Sequence, residues 1–179
     1  MGTTTTLVTV PEFLAMPEPE GERLELIGGE VVSMSQAGYP HEVTKSNLIM
    51  LLAPWAAQNR ELRVLCEAAY QLDDRNCFIP DISLIASTRI VPGSRGVFQG
   101  APEIAIEVVS SESAARLEDK IELYLACGGK SVWVVYPERR AVRIDTMDGT
   151  EKFRRDQTLV DPNILAGFSI PTSAIFEGV

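Results

Sequence analysis

Residues 103–110 read Glu-Ile-Ala-Ile-Glu-Val-Val-Ser, an apolar run that is broken only by Glu107. A continuous apolar run of this length is typical of a strand that is buried on both faces. Residues 113–126 then repeat apolar side chains at helical spacing, and a Gly-Gly pair at 128–129 provides a helix stop. Residues 131–136, Ser-Val-Trp-Val-Val-Tyr, form the clearest strand of the chain. The order strand, helix, strand predicts two parallel strands joined by a right-handed crossover.

The rest of the chain supplies more strands and one long helix. A Gly-Gly pair between two short runs predicts an N-terminal β-hairpin over 23–34, because glycine accepts the positive φ of tight hairpin turns. Residues 41–59 carry a helical apolar stripe. We expect single strands over 63–72 and 77–86, and a long glycine-bearing loop over 87–102. Further strands follow the crossover unit, which predicts a mixed α/β (α+β) fold.

Composition sets further bounds on the chain. Its 179 residues and hydrophobic content of 45% suit one globular domain over residues 1–179. The 16 Lys and Arg against 25 Asp and Glu give a formal net charge of -9. This acidity argues against bulk attraction to nucleic acid, although a basic groove or a bound metal can reverse the field locally.

Cysteine usage and the N-terminal sequence bear on the compartment. The 3 cysteines are widely spaced without a CxxC pair, which argues against a structural zinc site and against a disulfide framework. The sequence does not begin with a basic region followed by an apolar run, and its apolar runs fall short of the ~20 residues of a membrane span. We therefore expect a cytoplasmic protein without a signal peptide or a membrane segment.

Two acids interrupt the runs that read as buried strands. Asp81 follows Pro80 at the start of one run, and Glu107 lies in the middle of another. An ionised carboxylate in such a place must pair, protonate or bind a metal, because leaving it unpaired costs several kcal/mol or more. Lys120 lies at the border of the apolar stripe of the next helix. Asp81, Glu107 and Lys120 together form a candidate Mg²⁺ site for phosphodiester hydrolysis.

Each of these residues also has a purely structural interpretation. Asp81 could be an exposed acid at a strand start, and Glu107 could lie on an edge strand or pair with an arginine. Lys120 could extend into solvent rather than into a cleft. His41, the single histidine, rules out a metal site with two histidines and argues against a Ser-His-Asp triad. The sequence also contains no Walker-type phosphate loop.

The chain resembles the Uma-type restriction endonuclease family of the PD-(D/E)XK nuclease superfamily. No single short motif carries this resemblance, but an ordered set of segments does. These segments span nearly the whole chain and lie at 23–32, 80–85, 100–110, 119–124 and 132–137. The resemblance implies a restriction-endonuclease-like core with a central mixed sheet, two carboxylate ligands and a lysine.

The resemblance assigns roles residue by residue. Asp81 matches the aspartate of the Pro-Asp motif, and Glu107 matches the acid of the (D/E)XK motif. Val109 occupies the usual lysine position, whereas the Uma-type pattern has its lysine on the following helix, at Lys120. Asp81, Glu107 and the carbonyl of Val108 are then the expected ligands of Mg²⁺, or of Mn²⁺. Lys120 is expected to orient the attacking water or to offset charge on the phosphorus.

Supporting residues and partners follow from the same resemblance. Glu25 either adds a ligand or contacts one, or it is a solvated acid of its strand. His41 is either a member of the site or a surface residue at the helix start. Tyr124 either hydrogen-bonds the site or packs in the core. Nucleic acid is the expected substrate, with DNA preferred over RNA, and a homodimer suits double-strand cleavage. Isolated arginines usually face water, but three of them could contact phosphate: Arg89, Arg95 and Arg116.

A second function remains open at this level. The fold could persist in a catalytically inactive binding or dimerisation module. The acidic balance and Val109 favour that interpretation, whereas the coherent set of Asp81, Glu107 and Lys120 favours an enzyme.

Overall fold

The computed structural model describes residues 7–17, 19, 22–34, 37–93, 96–110 and 113–179. The described residues form four α-helices, one 3₁₀ turn and thirteen strands. The helices are α1 (Val10–Leu14), α2 (Tyr39–Gln58), α3 (Ala114–Ala126) and α4 (Thr172–Ile175). The N-terminal strands are β1 (Arg23–Ile27), β2 (Glu30–Met34), β3 (Leu62–Cys66), β4 (Tyr70–Gln71), β5 (Cys77–Phe78), β6 (Ile82–Ala86) and β7 (Phe98–Gln99). The later strands are β8 (Ile104–Val108), β9 (Ser131–Tyr136), β10 (Ala141–Thr146), β11 (Gly149–Arg154), β12 (Thr158–Val160) and β13 (Ser169–Pro171).

The predicted strand, helix, strand unit is present. β8 and β9 pair in parallel, with Glu107 opposite Val134, and α3 connects them. Ser113 caps α3, since its hydroxyl accepts a hydrogen bond from the Arg116 amide. At the other end, the Gly129 amide donates to the Tyr124 carbonyl at 2.9 Å. This unit lies at the centre of a six-stranded sheet of order β11-β10-β9-β8-β6-β3, whose other pairs are antiparallel.

Side chains alternate between the two faces of this sheet, and each face packs against a helix. One face joins α2 in a cluster that includes Leu48, Leu52, Ile106 and Trp133. The other face joins α3 in a second cluster that includes Leu117, Ile121, Tyr124, Ala105 and Val134. Burial of both faces explains why the β8 and β9 sequences are almost continuously apolar.

The N-terminal hairpin belongs to a second sheet. β1 and β2 pair antiparallel across Gly28 and Gly29, whose φ values of +58° and +86° lie in the region that glycine tolerates. The sheet has five strands in the order β2-β1-β5-β4-β7. It packs beside α3, because Phe78 of β5 and Tyr124 of α3 meet edge to face at 5.5 Å between ring centroids.

Two strand predictions and one loop prediction were wrong in the same way. Residues 63–72 divide into β3 and β4, which belong to different sheets, and Glu67 between them has a φ of 52°. Residues 77–86 divide into β5 and β6, again in different sheets, on either side of Pro80. Residues 87–102 contain a 3₁₀ turn and the strand β7 rather than an unbroken loop. In each case the chain leaves one sheet and enters the other.

None of the helices that the structure describes is both long and apolar enough to cross a membrane.

Candidate active site

Asp81 and Glu107 meet because of the register between β6 and β8. The antiparallel pair Ile82 and Ile106 is the last of that ladder, so the next residues outward, Asp81 and Glu107, lie side by side. Alternation along β8 turns Glu107 toward α3, whereas Asp81, just before β6, contacts His41 at the start of α2. The Val108 amide, which has left the β6 ladder at this point, donates to Asp81 Oδ2 at 2.8 Å. The strand ends thus fix the position of both acids.

Asp81 is buried among cationic partners. His41 Nε2 lies 3.1 Å from Asp81 Oδ2, and an Arg23 guanidinium nitrogen lies 3.6 Å from Oδ1. Burial by itself raises the pKa of Asp81, but the hydrogen bond and charge of His41, together with the Val108 amide and Arg23, lower it overall. Among the residues that the structure describes, Asp81 Oδ1 is a buried oxygen without a hydrogen-bond partner. This oxygen has capacity to accept a further donor or a metal.

His41 lies in the first turn of α2 and is 7% exposed, so the surface interpretation of this residue was wrong. Its Nδ1 lies 3.1 Å from Glu42 Oε1, and its Nε2 faces Asp81. Burial lowers the pKa of His41, but its contacts with Asp81 and Glu42 outweigh that effect and raise the pKa overall. With a carboxylate at each ring nitrogen, the imidazolium form is favoured.

Glu107 is held from the α3 side. The Tyr124 hydroxyl donates to Glu107 Oε1 at 2.9 Å, and Lys120 Nζ lies 3.0 Å from the same oxygen. Burial raises the pKa of Glu107 to about 8; the Lys120 charge opposes this shift, while Glu25 and Asp81 add to it. Tyr124 therefore both hydrogen-bonds this carboxyl group and packs in the core, as its place against Phe78 shows.

Lys120 lies between two glutamates rather than in solvent. Its side chain is 1% exposed, and Nζ contacts Glu25 Oε2 at 3.2 Å as well as Glu107. Glu25 is fully buried on β1, and its Oε1 accepts from the Ile79 amide at 2.7 Å. The interpretation of Lys120 as a solvent-extending lysine was wrong because both of these carboxylates lie within the protein.

The two acids open onto a cleft of about 510 Å³. Asp81, Glu107 and Val108 form part of its wall, whereas Lys120, Glu25 and Tyr124 are not part of the lining. Since Lys120 and Tyr124 contact the lining residue Glu107, they lie directly behind that wall. The lining also includes two further acids, Glu42 and Glu67, and four cationic or cationisable side chains: Arg23, His41, Lys45 and Arg116.

Sequence reasoning missed four charged residues that line this cleft, which are Arg23, Glu42, Lys45 and Glu67. Arg23 contacts both Asp81 and Glu67, the latter at 3.0 Å, and Lys45 contacts Glu67 at 3.0 Å. Lys45 was detectable, because it follows His41 by four residues and so shares its helix face. Arg23 and Glu67 carry no such signal, because their contacts depend on how distant segments meet.

The arginine candidates for phosphate contact differ in their positions. Arg116 lines the cleft. Arg89 instead donates to the carbonyls of Ala101 and Gln99, at 2.7 Å in each case, and so holds a loop in place. Arg95 lies outside the described residues.

The acids fit a hard divalent cation. Mg²⁺ is commonly held through one or two carboxylates, with waters completing its coordination. Asp81 and Glu107 supply the carboxylates, Val108 lies beside them, and Asp81 Oδ1 has spare accepting capacity. Within the described part of the chain, no group of three His, Cys, Asp or Glu side chains could hold a metal ion.

Comparisons with known proteins agree with this architecture. Residues 10–173 match the family described as "Uma2: Putative restriction endonuclease". A crystal structure of a putative nuclease belonging to DUF820 from Anabaena variabilis matches with a TM-score of 0.83 and 23% identity, over 95% of this chain and 98% of that chain. A cryo-EM structure of a DrdV–DNA complex matches at a TM-score of 0.37 and 17% identity, over 78% of this chain and 14% of that chain. None of the curated proteins matches. The first structural likeness shows the fold, and the second is too weak to add to it.

Proposed function

We propose, because this chain belongs to the Uma2 family of putative restriction endonucleases, that it is a Mg²⁺-dependent endonuclease that hydrolyses phosphodiester bonds in DNA. One observation carries the proposal: Asp81 and Glu107 converge on the wall of a cleft of about 510 Å³ that Arg116 also lines. Buried acids that share an open cleft are costly to maintain for stability alone. An enzyme that binds a divalent cation has a use for both.

The proposed ligands are the carboxylates of Asp81 and Glu107 and the carbonyl of Val108. This all-oxygen set suits Mg²⁺ and tolerates Mn²⁺. When bound, the ion supplies a Lewis acid for the phosphate and lowers the pKa of a coordinated water. Hydrolysis with the 3′-oxygen as leaving group gives products with 5′-phosphates.

The chain's own residues position and neutralise the reacting groups. Lys120 lies behind Glu107. From there its positive charge helps to orient the attacking water and offsets the negative charge that develops on the phosphate. Glu25 and Tyr124 hold Lys120 and Glu107 in place. His41 and Arg23 orient Asp81. Arg116 lines the cleft where an incoming phosphate passes.

We extend the proposal to the assembly and the compartment. Double-strand cleavage requires two centres, which a homodimer of this chain provides. The 3 cysteines are free, which suits the reducing cytoplasm. Sedimentation velocity with and without a DNA duplex tests the homodimer, because a monomer under both conditions contradicts it.

The test of the activity compares Asp81→Asn with Asp119→Asn. Asp119 is an exposed acid on α3, so the same change from Asp to Asn at this position serves as a matched control. We expect Asp81→Asn to reduce plasmid nicking in Mg²⁺ by at least about 100-fold and to weaken calorimetric Mg²⁺ and Mn²⁺ binding, because a ligand is lost. Asp119→Asn should match the wild type. Equal nicking and metal binding by all three proteins would contradict the assignment of the site.

A catalytically inactive binding or dimerisation module is the second candidate. The observation in its favour is that His41 and Lys120 already neutralise the two acids, while Val109 occupies the usual lysine position. If folded wild-type protein neither binds millimolar Mg²⁺ nor nicks plasmid, this second function replaces the first.

A further inference from the structure

Three depressions of the surface share lining residues and so join into one groove. The cleft at the acids shares Val109 and Leu117 with a neighbouring depression of about 450 Å³. That depression shares Tyr136 and Arg139 with a third, of about 540 Å³. Because each depression borders the next, a long ligand that occupies the cleft can continue to the third depression without leaving the surface.

The third depression is strongly basic. One acid, Asp156, contributes to its lining. Its basic members, which we call the basic groove, are Arg139, Arg140, Arg143, Lys152, Arg154 and Arg155. They account for 6 of the 16 Lys and Arg residues in a chain of net charge -9. So uneven a distribution indicates a surface that meets a polyanion.

The register of β10 and β11 explains how these charges gather on one face. Arg143 pairs with Lys152 across the two strands. Side chains two residues apart share a face, so Arg154 joins Lys152, whereas Glu151 points to the opposite face. The alternation of the edge strand therefore separates its basic side chains from its acid.

Most of these cations are available for a ligand. Two are committed: Arg143 contacts both Glu118 and Asp145 at 2.7 Å, and Arg140 donates to the Val179 carbonyl. Lys152 and Arg154 are exposed, and neither makes an ion pair with any residue that the structure describes. Arg139 stacks over the Tyr136 ring at 5.8 Å, at the junction of the second and third depressions. Exposed cations without counter-charges suit phosphate contacts.

We propose that the basic groove binds the phosphodiester backbone of the same DNA whose scissile phosphate occupies the cleft. This inference rests on the proposed function and adds a substrate contact remote from the acids. β8, which carries Glu107, and β11, which carries Lys152, are separated by three strand spacings. At about 4.8 Å each, they span about 14 Å. Along a duplex with a rise of about 3.4 Å, this corresponds to roughly four base pairs.

Nucleic acid fits the groove better than an acidic protein does. The basic groove is continuous with the cleft through Tyr136 and Arg139, and a backbone with evenly spaced phosphates meets both ends at once. An acidic segment of a second copy would need only the basic end. The test therefore separates these occupants.

The experiment compares Lys152→Gln/Arg154→Gln with the matched control Arg60→Gln/Arg63→Gln. The control removes two exposed charges at β3, the opposite edge of the same sheet. Duplex binding is measured by fluorescence anisotropy with Ca²⁺ in place of Mg²⁺, from about 50 to 200 mM salt. Steady-state nicking in Mg²⁺ and sedimentation velocity are measured on the same proteins.

We expect the groove variant to reduce the slope of log Kd against log salt by about 2, since two phosphate contacts each contribute about 0.9. KM should rise while kcat is unchanged, and the control should match the wild type. If wild type binds DNA without nicking it and the groove variant still loses this slope, the groove is supported and the nuclease activity is rejected. If wild type binds and the two variants have equal slopes, the inference is overturned while the proposed function stands. Loss of a dimer instead of DNA affinity also overturns it, and a wild type that binds no DNA overturns both.

Discussion

At the scale of single residues, Glu107 links stability to pH. Burial raises the pKa of Glu107 from its ordinary 4.5 to about 8. Between these values the folded protein holds a proton that the unfolded chain has released, so stability falls as pH rises through the interval. Glu107→Gln resembles the protonated form and keeps an acceptor for Tyr124. We expect it to be more stable than wild type by a few kcal/mol at about pH 9, and equal near pH 4, in urea unfolding.

The matched control for this change is Glu122→Gln, an exposed acid on α3. Its profile of stability against pH should parallel that of wild type, since its carboxyl group stays hydrated in the folded state. Parallel profiles for Glu107→Gln and wild type would contradict the raised pKa.

Sequence alone located some residues of the site and missed others for a physical reason. Asp81 and Glu107 were recognisable because a charge inside an apolar strand run is costly, and the run shows in the sequence. The meeting of Asp81 with Arg23 has no such mark. It depends on packing between a hairpin and a strand that lie far apart in the chain. The catalytic roles of Asp81, Glu107 and Lys120 stay predictions.

At the scale of elements, the junction between α3 and β9 depends on Gly129. A Cβ at this position would lie 2.7 Å from the Tyr124 carbonyl oxygen, which is backbone and cannot rotate away. We expect Gly129→Ala to lower the free energy of unfolding by about 1–3 kcal/mol, because the end of the helix must shift. Thermal unfolding measures the loss. The control is Gly96→Ala, where a Cβ meets nothing within 4 Å; equal melting of the two variants would refute the close contact.

Elements were predictable where one sheet contained a whole run, and not where a run crossed between sheets. β8, α3 and β9 pack together as one unit. The hydrophobic periodicity and the glycine helix stop were therefore enough to predict them. Residues 63–72 looked like one strand because an ordinary residue, Glu67, adopts the positive φ at which the chain changes sheet. A glycine there would have marked the break.

At the scale of the whole molecule, Lys120 joins the two large sheets. It contacts Glu25 on β1 of the five-stranded sheet and Glu107 on β8 of the six-stranded sheet. We expect Lys120→Met to cost about 3–5 kcal/mol of stability at neutral pH, because it leaves the buried Glu25 without its counter-charge. Urea unfolding at neutral pH measures the loss.

The control for this change is Lys130→Met, which removes an exposed lysine. A second variant, Glu25→Gln/Lys120→Met, should recover part of the loss if the contact between these two residues is the cause. An equal loss in Lys120→Met and Lys130→Met would contradict the bridging role.

The prediction of a single domain over residues 1–179 stays a prediction.

The same bridge has a consequence for how the native protein opens. If the two sheets separated, Lys120 or one of its glutamates would be left unpaired in an apolar interior. Partial opening of the protein therefore costs free energy. Amide hydrogens of β1 and β8 should therefore exchange with deuterium through a common event, with similar protection free energies under native conditions. In Lys120→Met the β1 amides should exchange earlier than those of β8, which would turn one cooperative unit into two.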